Sequence, residues 1–297
     1  MGLAGNACNR QDDLVFDFGF HRGEDTGYYL AMGQQVVAVD ASADLIAAGR
    51  LRFALELETG QLTLLHGAVI GAQQRSGCSE LMFHPHPVRS EWGSVDLRWV
   101  RRNAEAHGLP HAAPVAVPAL CLEELVERYG CPNFLKIDIE GADAAVLADL
   151  ARLKILPAFV SWETGKESLP AVLQQHRQLE ALGYGHFRVV QQAYLEQQQQ
   201  AIGLGGVRWA FEPGCSGWMP KSSPQVWRSL FWVQWQYRLL FVAYRLVGPR
   251  SWFRAAARHR SGWIGALPRW IQRWAEAHSF ALPGWVDSHA KLTISAG

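Results

Sequence analysis

The chain has 297 residues, 49% of them hydrophobic and 19% charged, with a formal net charge of +1. That is enough apolar material for one large domain with an appendage or for two small ones, and it excludes wholesale disorder. The charge is unevenly spread: from Lys221 onward there are 11 Lys or Arg against 2 Asp or Glu, and 10 of the 13 tryptophans lie at or beyond Trp209.

In chain order, Leu14–Phe18 is a short apolar run closed by glycine, the pattern of a buried strand. Glu24–Met32 carries helix formers and stops at Gly33. Gln35–Asp40 is a second buried strand, and Ser42 can cap a helix running to about Glu58. Leu62–Ile70 reads as a third strand interrupted near Gly67. Within Gly71–Leu109 the sequence predicts one strand, Glu80–His84, then the non-helical His84-Pro-His-Pro87 and a loop at Ser90–Ser94. Leu120–Tyr129 is a short helix, Asn133–Ile139 a strand, Ala142–Leu153 a helix, Ala158–Trp162 a strand, and Leu169–Leu182 a helix ending at Gly183. His186–Gln191 and Gly206–Phe211 are late strands, and the glutamines of 197–200 read as a solvated loop or helix end. Apolar strands alternating with helices imply βαβ units in an α/β fold, a doubly wound, mostly parallel sheet whose ligands bind at the carboxyl ends of the strands.

Five cysteines, Cys8, Cys78, Cys121, Cys131 and Cys215, form no C-x-x-C pair. The amino terminus has no basic stretch followed by an apolar run. Both features suit reduced thiols in a cytoplasmic protein.

The first strand ends in Asp17-Phe-Gly19-Phe-His21-Arg-Gly23-Glu-Asp25-Thr26, a D-x-G-x-x-x-G spacing that leads straight into a helix. Glycines there let the backbone turn tightly and approach a ligand, and the free amides of the helix start point into the turn. The second strand ends in Asp40, followed by Ala41, and a carboxylate at that place can accept from both hydroxyls of a ribose. A dinucleotide would prefer G-x-G-x-x-G with a pyrophosphate at the helix start. Here Asp17, Glu24 and Asp25 repel phosphate and suit the cationic amino-acid end of S-adenosylmethionine. A bare strand–turn–helix junction is the plain alternative.

These residues carry a family resemblance. Asp17-Phe-Gly-Phe-His-Arg-Gly-Glu-Asp-Thr26, Tyr28-Tyr-Leu30 and Val36-Val-Ala-Val-Asp-Ala41 resemble the front of FkbM-family methyltransferases. Leu135-Lys-Ile-Asp138-Ile-Glu140-Gly141 is similar to that family's second signature, and Ser161-Trp-Glu163 sits where the family often closes the next strand with an acid. Ser90-Glu-Trp-Gly-Ser94, Gly214-Cys-Ser-Gly217 and Trp285-Val-Asp-Ser-His289 resemble further stretches. The resemblance implies a Rossmann-like class I methyltransferase fold, S-adenosylmethionine as methyl donor, and methylation of an oxygen on a small molecule, sugar or glycan. It places the donor at Asp17, Gly19, His21, Gly23, Asp25, Thr26, Asp40 and Ala41. His21 and Asp40 stand where the family often has Asn and Glu. Asp keeps the charge and shortens the reach, and His21 reads as a loop variant rather than a base.

Asp138 and Glu140 are two positions apart, so on a strand ending at Glu140 both side chains point the same way, and Glu163 ends the adjacent strand. One of the three can be the general base for the acceptor hydroxyl. The alternatives are that they hold a divalent cation such as magnesium, the less favoured reading, or that they orient loops and cofactor. No zinc-ligand spacing, P-loop or G-x-S-x-G is present. Competing readings of the whole are an NAD(P)-dependent oxidoreductase, opposed by the missing third glycine, and a catalytically silent scaffold with a partner- or membrane-binding end.

The expected organisation is a methyltransferase domain over residues 1–215 and a basic, Trp-rich, helical region over 216–297. In the latter, Leu230–Val247 is the longest apolar stretch. A central Arg238 costs roughly 3 kcal/mol in lipid, which argues against a spanning helix. On a helix, Trp232, Trp235, Leu239, Val242 and Leu246 form one seam. Packing of that seam on the catalytic domain, or on a second copy in a homo-oligomer, is favoured over peripheral membrane contact. No nucleic-acid module is recognisable, and no nucleic acid partner is expected.

Overall fold

A computed structural model describes residues 10–75, 77–108, 112–166, 168–192, 195, 199–202, 207–247, 274–275, 280–282 and 284–293. The chain divides into two compact units, Met1–Val160 with Gln200–Trp209, and Ser161–Gln199 with Ala210–Gly297. The fold is α/β with a mostly parallel sheet.

The first unit opens with β1 (Arg10–Phe18), polar at its start and buried from Leu14 on. There follow α1 (Glu24–Ala31), β2 (Gln35–Asp40), α2 (Ala43–Arg52), α3 (Ala54–Glu58) and β3 (Leu62–His66). Next come β4 (Ala68–Val69), α4 (Ala72–Arg75), β5 (Glu80–Phe83), α5 (Leu97–His107) and β6 (Val115–Leu120). The run closes with α6 (Leu122–Tyr129), β7 (Cys131–Ile137) and α7 (Asp143–Asp149). β1 lies between β2 and β7, with β3 outside β2, and every pair is parallel. β7 is buried at all seven positions, as expected of a strand covered on both faces by helices. Register sets Phe18 beside both Val39 and Ile137, so the turns leaving β1, β2 and β7 share one edge.

Several boundaries differ from the sequence expectation. The helix from Ser42 breaks at Phe53, whose backbone leaves helical geometry while its ring packs edge-on against Phe20 at 6.1 Å. The run Leu62–Ile70 divides at Gly67, where a Cβ would come 2.8 Å from the Pro118 carbonyl. β3 stays in the main sheet, while β4 joins β6 and β5 in a separate three-stranded one. Leu120 ends β6 rather than opening a helix, and the segment after Ala142 is α7 followed by a 3-10 turn at Leu150–Arg152. β6 and α5 were not foreseen. β6 carries Pro118, which cannot donate to a ladder. The inward positions of α5 include Asn103 beside Val100, which blurs the apolar period.

β8 (Phe159–Glu163) leads into the second unit, followed by α8 (Leu169–Ala181) and β9 (Tyr184–Gln191). β10 (Gln199–Ile202), which begins in the glutamine run expected to be a solvated loop or helix end, pairs with β11 (Val207–Ala210). The chain continues into α9 (Leu230–Val247) and β12 (Val286–Leu292). β12 runs antiparallel to β9 and lies between it and β8. Its buried Val286–Ala290 includes Asp287, Ser288 and His289, a polar core that hid the strand from any apolar pattern.

A buried hydrogen-bond chain ties this unit together. The Val172 carbonyl can only accept, so His176 Nδ1–H donates to it at 2.8 Å, leaving Nε2 to accept from Ser288 Oγ–H at 3.1 Å. The Tyr237 hydroxyl then donates to Ser288 Oγ at 2.6 Å, and Thr164 Oγ1 lies 2.9 Å from both oxygens. The end of β8, α8, α9 and β12 each supply one member. Burial drives the His176 pKa down to about 4, so the ring is neutral as the chain requires.

The seam expected to pack on α9 faces the other way. Trp232, Trp235, Leu239 and Val242 are exposed, whereas Val233, Gln236, Tyr237, Leu240 and Phe241 are buried. Tyr237 holds the inward side by hydrogen bonds to Thr164 and Ser288 that a hydrophobicity pattern does not register. The side chain of Leu246 lies outside the described residues. Among the described residues no helix is long and apolar enough to cross a membrane. Cys78, Cys121, Cys131 and Cys215 are free thiols.

Candidate active site

β1 and β7 end side by side, and two tight turns meet there. Gly19 N–H and Phe20 N–H both donate to the Val39 carbonyl at 3.0 Å, and Asp138 N–H donates to Phe18 O at 2.9 Å. Gly19 has φ +88°, and a Cβ on it would strike the Asp138 carbonyl. Gly23, at φ +81°, is crowded by the rings of Phe53 and Phe20. Both glycines therefore let the loop close on the protein itself.

At the base of these turns is a lysine to which the sequence reading gave no role. Lys136 Nζ lies 3.1 Å from Asp17 Oδ1, 3.3 Å from Asp25 Oδ2 and 3.7 Å from Asp138 Oδ2, and donates to Gly19 O at 3.3 Å. Its side chain is 4% exposed, and those of Asp17 and Asp25 are 0% and 5%. Burial disfavours the ammonium, but the Asp17, Asp25 and Asp138 carboxylates outweigh it and hold the pKa well above the usual lysine value. Asp17 Oδ2 also accepts from Thr26 Oγ1 at 2.6 Å. The structure thus gathers Asp17, Gly19, Asp25, Thr26 and Asp138 around one buried cation. A charged residue set between Leu135 and Ile137 was the available signal.

Asp40, at the end of β2, accepts from the backbone N–H of His21 (Oδ2, 2.8 Å) and of Ser42 (Oδ1, 2.8 Å). Burial raises its pKa against these hydrogen bonds. Each oxygen keeps a lone pair for a further donor. His21 sits at φ 52°, its Nδ1 3.0 Å from Glu24 Oε1 and its Nε2 2.8 Å from Ser90 Oγ. The ring therefore clasps the loop after β1 to the 3-10 turn Ser90–Trp92. Burial works against the Glu24 charge, yet His21 beside it brings its pKa below the ordinary carboxylate value. Ala41 packs on the cluster of Ala68, Phe83 and Val117, and its carbonyl lies 3.1 Å from His66 Nε2.

β7 stops at Ile137, so Asp138 and Glu140 are not on the strand as expected. They stand in the turn beyond it, where Glu140 has φ 49° and Gly141 φ 104°. A left-handed non-glycine residue is held only where its surroundings fix it. Here Ser94 Oγ–H donates to the Glu140 carbonyl at 2.5 Å, and Asp143 accepts from Ile139 N–H (3.3 Å) and Gly141 N–H (3.2 Å). Burial, with Asp138 nearby, pushes the Asp143 pKa up to about 6. Ser94 closed a stretch quoted for the family resemblance but was given no role, and Asp143 was not singled out from sequence. The turn, rather than strand alternation, brings an oxygen of Asp138 within 4.8 Å of one of Glu140. Both side chains are partly exposed. Glu163, half-buried, closes β8 in the second unit.

A family profile described as the methyltransferase FkbM domain matches residues 17–184. The chain belongs to this family. The FkbM match opens at Asp17, the first acid of the cluster, and spans both turns. Among solved structures, the C-terminal domain of precorrin-6Y C5,15-methyltransferase from Rhodobacter capsulatus is 13% identical, covering 69% of this chain and 76% of its own, with a TM-score of 0.34. SAM-dependent methyltransferases from Geobacter sulfurreducens and Thiobacillus denitrificans, each in complex with S-adenosyl-L-homocysteine, are both 14% identical. Each match covers 96% of this FkbM chain and 86% of the other, with a TM-score of 0.32. No curated protein matches in sequence.

Proposed function

We propose that this chain transfers a methyl group from S-adenosylmethionine to a hydroxyl of a small molecule, sugar or glycan. The observation that carries this reading is the ring of carboxylates at the strand ends. Asp17, Asp25 and Asp138 share a single lysine, Glu24 is buried beside them, and Asp40 closes β2. Such a surplus of negative charge suits a cationic ligand. A pyrophosphate at the start of α1 would instead meet the buried Glu24 and Asp25.

When bound, S-adenosylmethionine supplies an electrophilic methyl group on a positively charged sulfur. Asp40, fixed by two backbone amides, is placed to accept from paired ribose hydroxyls with its remaining lone pairs. Asp17, Gly19, Gly23, Asp25, Thr26 and Ala41 form the walls and floor of the donor loop. His21, engaged at both ring nitrogens, holds that loop and is not the base. Asp138 and Glu140 are the candidates to take the acceptor's proton, and Glu163 is a third from its place at the end of β8.

Calorimetric titration with S-adenosylhomocysteine and, separately, NADH tests the reading on wild type and Asp40→Ala. The expected result is binding of S-adenosylhomocysteine alone, weakened roughly tenfold or more by the substitution. Binding of NADH instead would replace the methyltransferase by an oxidoreductase.

A further inference from the structure

We infer that the outward face of α9 is a docking surface for an anionic lipid bilayer. Phe231, Trp232, Trp235, Leu239 and Val242 are 73%, 50%, 40%, 38% and 53% exposed. They form one continuous stripe along the helix, opposite the buried Val233, Tyr237 and Leu240. Isolated exposed apolar residues are ordinary, but five large ones in a row on one face mark an interaction surface.

The chemistry around the stripe names the partner. Arg238 and Arg245 are exposed and lie seven positions apart, so they run along one edge of it. Arg228, also exposed, extends over the Trp232 ring at 5.9 Å. None of the three pairs with a carboxylate among the described residues. The sequence supplies none nearby: from Pro213 to Ala275 there is no Asp or Glu, against ten Lys or Arg and eight Trp. Tryptophan beside arginine, with the apolar stripe between, is the composition of a helix lying at a lipid–water interface. A second copy of this face would bring four or more arginines into one desolvated contact with no acid to meet them. A nucleic acid would leave the apolar stripe without a matching surface. Arg238 at mid-helix keeps α9 from crossing the bilayer, so the helix lies along the surface, with the arginines facing anionic headgroups.

The test is flotation of the full chain, at physiological salt, with vesicles of phosphatidylcholine alone and of phosphatidylcholine mixed with phosphatidylglycerol. The chain is expected to float with the anionic vesicles only, with a blue shift of tryptophan emission. Trp232→Ala/Trp235→Ala and, independently, Arg238→Glu/Arg245→Glu should each weaken binding roughly tenfold or more. Both pairs are exposed, and circular dichroism confirms the fold of each variant. Absence of flotation, or flotation unchanged in both folded variants, overturns the inference. So does a dimer in sedimentation that Trp232→Ala/Trp235→Ala dissociates, which would make the face a contact between copies.

Discussion

Lys136 is the residue on which the loop after β1 rests, because Asp17 of β1 and Asp25 of α1 both meet its ammonium. Removing one partner of a buried ion cluster is far more costly than the cluster is stabilising, since the remaining charges stay desolvated. Lys136→Met should therefore lower the unfolding free energy by about 3–5 kcal/mol in urea titration. It should abolish S-adenosylhomocysteine binding even where the fold survives. Gly19 makes a second, sharper case. Gly19→Ala combines a left-handed backbone with a methyl driven into the Asp138 carbonyl. Gly33 is also left-handed, at φ +78°, but nothing lies within 4 Å of the Cβ position. Gly33→Ala should cost only about 1 kcal/mol and leave ligand binding intact, while Gly19→Ala should weaken binding at least tenfold. Equal effects in calorimetry and thermal melts would show that the closeness of the two turns is unimportant.

At the level of elements, what could be read in advance followed from local chemistry. β2 runs from Gln35 to Asp40 as expected, and Ser42 caps α2 by accepting from Leu45 N–H, because a short apolar run and a hydroxyl cap need no tertiary information. The acids of the loop after β1 stood out from the D-x-G-x-x-x-G spacing read together with the strand, helix and Asp40 around it, and the structure brings Asp17 and Asp25 to one lysine. The turn after β7 was only half legible. Asp138 and Glu140 stood out by their spacing, but the left-handed Glu140 depends on Ser94, 46 positions away. Lys136 was hidden because its partners come from β1 and α1, and β12 because its core is polar. α9 was found with the right ends, but its tryptophan seam is exposed rather than packed on the rest of the chain. Burial there is decided by the hydrogen bonds of Tyr237 to Thr164 and Ser288, which a count of apolar residues does not weigh.

On the scale of the whole molecule, acid should act first on the second unit. His176 is buried with a pKa of about 4, and burial together with Arg188 holds His289 well below the usual histidine value. Both folded pKa values lie below the unfolded one, so between them the unfolded chain binds more protons and stability falls as pH drops. The contribution is complete above about pH 6.5 and is lost below it, at about 1.4 kcal/mol per pH unit for each histidine. Unfolding midpoints in urea should therefore fall steeply from pH 7 to pH 5, and less steeply in His176→Gln. A flat profile would mean that these histidines are accessible in the folded chain.

The antiparallel pairing of β9 with β12 carries a consequence for the newly made chain. Arg188 and His289 stand side by side in the sheet yet are 101 positions apart. At ordinary rates of synthesis the ribosome needs roughly five to twenty seconds to travel between them. For that interval β9 is a strand with an empty edge, the kind that recruits a wrong neighbour. The buried Arg188 guanidinium meanwhile waits for its imidazole. Synthesis of β12 is what covers that edge, and cells slow to translate from β9 to β12 should yield aggregate rather than folded protein.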